Sequence, residues 1–66
     1  MISYSKLWKL LIDKNMTRSE LREAVGFSTN TLAKLGRNES VTVGTLERIC
    51  IFLNCNIEDI VEIKKE

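Results

Sequence analysis

Apolar residues recur every three or four positions along most of this chain, with polar and charged residues filling the intervals. Over Ser5 to Lys14, the run SKLWKLLIDK sets Leu7, Leu10, Leu11 and Lys14 along one side of a predicted helix. Tyr4, Trp8 and Ile12 widen its apolar surface. Trp8 has the flat ring a nucleic-acid base could stack on, but its helical spacing with Leu11 predicts packing instead. Asn15 is placed to end this helix. Between Thr17 and Arg37 two short helical patterns follow, separated by a three-residue break. In the first, Leu21, Ala24 and Val25 fall on one face. Thr17 and Glu20 form a T-x-x-E capping box, in which the hydroxyl and the carboxylate each accept from the other residue's backbone N–H. Gly26 then supplies a positive φ without a Cβ penalty, where the helix must stop. Phe27 is an apolar plug after it, and Ser28 can cap the next helix. There Thr31, Leu32 and Leu35 are predicted to face inward. Asn30, Ala33, Lys34 and Arg37 form an outward stripe, with Thr29 beside it.

After the polar loop Asn38-Glu39-Ser40, Thr42 can cap a fourth helix over VGTLERICIFL, with Val43, Leu46, Ile49, Cys50 and Leu53 on one face. Asn56 and Asp59 can cap one more helical turn, whose Ile57 and Ile60 are expected to close the core. The tail Val61-Glu62-Ile63-Lys64 alternates apolar and charged residues, which reads as a short strand. Its available partner is the segment Met1 to Tyr4, from the same chain or from a second copy. These elements sum to one compact domain spanning residues 1–66, near the lower size limit for folding without metal or disulfides.

Composition narrows the class of protein. At 44% apolar and 29% charged residues it is an ordinary globular chain, and the absence of proline leaves no rigid linker. No apolar run reaches membrane-spanning length, and the first residues lack the pattern of a signal peptide, so a cytoplasmic location is expected. The net charge of +1 says little by itself. Its distribution says more. Residues 1–37 hold seven cations against three anions, a balance of +4, while residues 38–66 hold three against six, a balance of −3. That asymmetry directs an anionic partner such as nucleic acid to the front half.

Candidate chemistry is sparse. Two cysteines and no histidine cannot close a tetrahedral zinc site, so no metal is expected. Cys50 lies on an apolar helix face and reads as a small buried hydrophobe, and Cys55 falls in the turn after it. A disulfide between them is not expected in a cytoplasmic chain. With no histidine to act as base, and no glycine-rich phosphate loop or paired-acid motif, neither an enzyme nor a cofactor is expected.

The run T-R-S-E-L-R-E-A-V-G-F-S-T-N-T-L-A-K-L resembles the helix-turn-helix of the Cro/phage-repressor (XRE) family of DNA-binding proteins, with its core at residues 17–37. The flanking segments SKLWKLLIDKNM and VTVGTLERICIFLNCNIEDI are similar to that family's first, fourth and fifth helices. The resemblance covers the chain from about Tyr4 to Ile60. It implies an all-α, compact five-helix, lambda-repressor-like fold, with the pairing of the two chain ends as an addition. It also implies a small regulator of transcription, a repressor, that binds double-stranded DNA with the helix at about 29–36 in the major groove. By similarity, Thr29, Asn30, Ala33 and Lys34 approach base edges. Asn30 suits adenine, Lys34 suits guanine or a phosphate, and Ala33 can meet a thymine methyl. Arg18, Ser28, Arg37 and Asn38 fall to phosphates, which position a protein without reading sequence.

Two positions depart from the family pattern. Arg18 stands where glutamine is usual and can still serve a phosphate. Arg22 stands where a small residue is usual, so its stem must lie along the surface with its head towards solvent or DNA. One reading helix spans few base pairs, so a homodimer is implied, through the acidic C-terminal half with Phe52 as a candidate contact. A different class of function is carried beside this one. The same fold can serve as a protein-interaction module, as in an antirepressor or antitoxin-type regulator, with the fourth helix as its surface.

Overall fold

The protein is described by a computed structural model over residues 1–65. A short strand β1 (Ile2–Ser3) leads into helices α1 (Ser5–Asp13), α2 (Arg18–Val25), α3 (Thr29–Gly36) and α4 (Val43–Leu53). A 3₁₀ turn at Ile57–Asp59 and a strand β2 (Glu62–Ile63) complete it. The expected fifth helix is therefore a single 3₁₀ turn. Ile60 N–H bonds back only three residues, to the Ile57 carbonyl at 3.1 Å, and the chain then leaves for the strand. The two strands pair antiparallel within the same chain, Ile2 opposite Ile63 and Ser3 opposite Glu62.

Each helix stops at a backbone position chosen by its sequence. Asn15, Asn38 and Asn54 adopt positive φ after α1, α3 and α4, and Gly26 does so after α2. Asparagine tolerates this conformation because its short amide can bond locally. Thr17, Ser28 and Thr42 each accept a backbone N–H three residues on, at 3.1, 3.1 and 3.2 Å. Glu20 completes the capping box, accepting from Thr17 N–H at 2.9 Å.

That bond, with the Thr17 hydroxyl, holds the Glu20 carboxyl below its ordinary range. A depressed folded pKa gives stability that is present above the unfolded value and disappears as pH falls through the folded one. Between about pH 5 and 3, Glu20→Gln should therefore lose less of its thermal stability than wild type does. Thr17→Ala should cost about 1 kcal/mol at neutral pH, read from urea unfolding. Equal acid sensitivity of wild type and Glu20→Gln would show that this carboxylate does not couple to folding.

The core joins Tyr4, Leu7, Leu11, Leu21, Phe27, Leu35, Leu46, Ile49, Leu53 and Ile60, all buried. Four residues expected inside are exposed instead. Ile12 and Val43 are 73% and 74% exposed, Ile57 is half exposed, and Ala24 lies on the surface. On the helices each lies outside the buried arc, and Ile57 sits in the three-residue turn. On α4, Leu46, Ile49 and Leu53 carry Thr45 into the core, so Val43, roughly 100° from their mean direction, turns outward. Thr45 is accommodated by a 2.9 Å bond between its hydroxyl and that of Thr42. On α2 the buried side runs from Leu21 to half-buried Val25 and Arg22, which leaves Ala24 at the edge. Arg22 is half-buried there, and its guanidinium stands 3.9 Å from the Glu23 carboxylate.

Tyr4 closes the domain at the front. Its backbone N–H donates to Asn38 Oδ1 at 3.1 Å, and its hydroxyl donates to the Glu39 carbonyl at 2.8 Å. The loop that follows α3 is thus tied to the segment that precedes α1.

Candidate nucleic-acid interface

The placement of α3 follows from three consecutive residues. Gly26 reverses the chain at φ 89°, Phe27 is buried as an anchor, and Ser28 in extended conformation starts the next helix. Leu35 at 0% exposure fixes the inner face, with Thr31 and Leu32 half-buried beside it. What remains outside is the stripe of Thr29, Asn30, Ala33 and Arg37, all exposed, with Lys34 half-buried along it. From Asn30 to Arg37 it runs roughly 10 Å along the helix axis. Among the described residues, the side chains of Thr29, Asn30 and Lys34 make no hydrogen bond or ion pair with the rest of the protein. Their donors and acceptors face outward unspent.

The four residues expected on phosphates, Arg37 of the stripe among them, are each held differently. Ser28 accepts from Thr31 N–H and donates its own proton to the Thr31 hydroxyl, both at 3.1 Å. The Asn38 side-chain oxygen accepts from Tyr4 N–H, and among the described residues its amide NH₂ has no partner. Arg37 is clasped by Glu39, Nε to Oε2 at 2.6 Å and Nη2 to Oε1 at 3.5 Å. The hydrogen bond from Arg37 holds the Glu39 carboxyl below its ordinary range. Arg18 has no protein acceptor among the described residues. Its guanidinium lies 3.9 Å from the centroid of the Trp8 ring.

Two participants were not foreseen. Glu39 faces Arg37 from two positions along the chain, and the Arg-x-Glu spacing was the available signal. The Trp8–Arg18 contact joins α1 to the start of α2 across ten positions. No periodicity reports such a pair. Trp8 is otherwise half-buried against the core, as its spacing predicts.

The surface along α4 and the 3₁₀ turn differs in character. An open groove of about 540 Å³ runs along α4 and the 3₁₀ turn, lined by Val43, Cys50, Ile51, Cys55 and Ile57 with Glu47 and two asparagines. Phe52 is 44% exposed and lies outside that groove. Burial pushes the Cys55 thiol above its ordinary range, with neighbouring Cys50 adding to the shift, so it stays protonated. Both thiols are unbridged. Among the described residues no three acidic or cysteine side chains gather as a metal site, and no helix is long and apolar enough to cross a membrane.

A family model described as a Cro/C1-type HTH DNA-binding domain matches residues 6–66. Among solved structures, the crystal structure of the transcriptional regulator VanUg (Form II) is similar over 98% of this chain and 87% of that one. The two sequences are 57% identical and the TM-score is 0.95. A search of curated proteins returned no match.

Proposed function

The chain belongs to the Cro/C1-type helix-turn-helix DNA-binding family, and from that premise we propose that it represses transcription by reading a specific duplex sequence with α3 in the major groove. One observation carries this reading: Thr29, Asn30 and Ala33 stand exposed and unbonded on a helix whose other face is locked by Leu35. A rigid support with free polar groups is what direct readout requires. The Asn30 amide can accept from adenine N6 and donate to N7 together, Ala33 offers a methyl to thymine, and Lys34 reaches guanine O6/N7 or a phosphate. Arg18, Arg37 and the Asn38 amide serve phosphates. Ser28 can turn its proton from Thr31 to a phosphate while its lone pair still caps α3.

The VanUg structure supports a role in transcriptional regulation at the level of the whole chain, through its similarity. The homodimer belongs to the same proposal. The exposed Val43, Ile51 and Ile57 would give a second copy an apolar surface in the acidic half of the chain. Two copies present two reading helices, which supplies the length of sequence that one helix cannot.

Glu39 adds a condition to this mechanism. A phosphate reaching Arg37 must displace a carboxylate that already holds its fork, and the released carboxylate then faces DNA. Glu39→Gln should therefore raise affinity for every duplex alike, by roughly two- to fivefold.

The test is fluorescence anisotropy with a pool of short duplexes and the gene's own upstream region, at several salt concentrations. Wild type should bind one duplex preferentially as two chains, with log K falling against log salt by about 0.9 for each phosphate contact. No binding at any salt would leave the apolar α4 groove as the functional surface and the protein-interaction reading in its place.

A further inference from the structure

Arginine side chains near α3 differ in what they have already bonded. Arg37 gives its fork to Glu39, and Arg22 lies 3.9 Å from Glu23. Arg18 has no ion-pair or hydrogen-bond partner among the described residues, yet it is not loose. Its guanidinium carbon sits 3.9 Å from the centre of the Trp8 ring, and Nη1 lies 3.6 Å from where a side chain on Gly36 would begin. The exposed side chain thus rests against an indole on α1 with the end of α3 beside it.

Stacking on an aromatic face uses the flat side of the guanidinium and leaves its N–H donors in the plane untouched. A mobile arginine would have to give up much of its rotamer freedom to hold an anion. Here part of that ordering precedes binding. We infer that Trp8 is a positioning residue for DNA binding, holding Arg18 ready for a backbone phosphate beside α3. The inference rests on the DNA-binding reading above. It assigns Trp8 a second role beyond packing.

A double-mutant cycle separates positioning from simple core packing. Duplex affinities are measured for wild type, Trp8→Leu, Arg18→Ala and the double variant, with Trp8→Phe as a ring-retaining control. Far-UV circular dichroism sets a temperature at which all five proteins are folded. Trp8→Leu should weaken every duplex alike by roughly two- to fivefold, the range of one cation–π contact. Trp8→Phe should stay within about twofold of wild type. In the Arg18→Ala background, Trp8→Leu should have no further effect, because the group it positions is gone.

Trp8 is also the chain's single tryptophan, so its emission should shift on duplex binding in wild type. That shift should be lost in Arg18→Ala even where anisotropy still detects binding. If wild type binds DNA and the two substitutions add in full, or Trp8→Leu matches wild type, Trp8 only packs and the inference fails alone. Wild type binding no duplex would remove the DNA reading and this inference together.

Discussion

Leu35→Ala should lower the unfolding free energy by about 2–5 kcal/mol, measured by urea unfolding followed by circular dichroism. Leu35 is fully buried and is the residue through which α3 is held against the core. Removing three heavy atoms there loses their transfer free energy and leaves a cavity the neighbours fill only partly. A chain of 66 residues has roughly 3–10 kcal/mol in total, so a large part of the population should be unfolded at 37 °C. Duplex binding should fall in proportion, for every sequence alike. Leu35→Met keeps volume and apolarity and should lose less than about 1.5 kcal/mol, which separates a packing effect from any other sensitivity of this position. A loss below about 1 kcal/mol for Leu35→Ala would mean that the inner face of α3 is not sealed as described.

Asn30→Ala should behave in the opposite way. The side chain is exposed and unbonded, and alanine is the better helix former, so stability should change by less than about 0.5 kcal/mol or rise slightly. Discrimination between the preferred duplex and one altered at the base pair Asn30 reads should shrink by about 1–3 kcal/mol, at least fivefold. Affinity for unrelated duplexes should stay the same, because their binding comes from phosphates. Competition anisotropy, with the two duplexes as competitors, reads this ratio directly. A uniform loss across all duplexes would place Asn30 on the backbone, and no loss anywhere would remove it from the interface.

Local chemistry was the most legible part of this chain. The capping box at Thr17 and Glu20, the caps at Ser28 and Thr42 and the turn at Gly26 each depend on residues within a few positions, so their spacing carries the full information. The outward stripe of α3 was legible for a related reason. With Leu35 inward, the positions of Asn30, Ala33 and Arg37 follow from helical geometry.

Facing directions on the other helices were less so. Periodicity reports that a helix has an apolar side, but where the centre of that side points is set by docking. Val43 and Cys50 lie at the margin of the apolar arc on α4, and contact with α2 and the core selected Thr45 rather than Val43 for the interior. Ile12 and Ala24 likewise fall outside the buried arcs of α1 and α2. The fifth helix reduced to a 3₁₀ turn because the antiparallel pairing of the chain ends claims the residues that would extend it. Across-chain pairs such as Trp8 with Arg18, and Tyr4 with Asn38 and Glu39, have no sequence period at all and emerge only from the fold.

The left-handed asparagines and the glycine that end α1 to α4 carry one more consequence, for the speed of folding. These turns are made entirely without proline, so no imide bond must find its isomer before the helices can dock. Uncatalysed prolyl isomerisation takes tens of seconds, whereas local helical contacts form in microseconds to milliseconds. Docking of these helices therefore waits on no prolyl isomerisation, and this domain can fold on the faster scale.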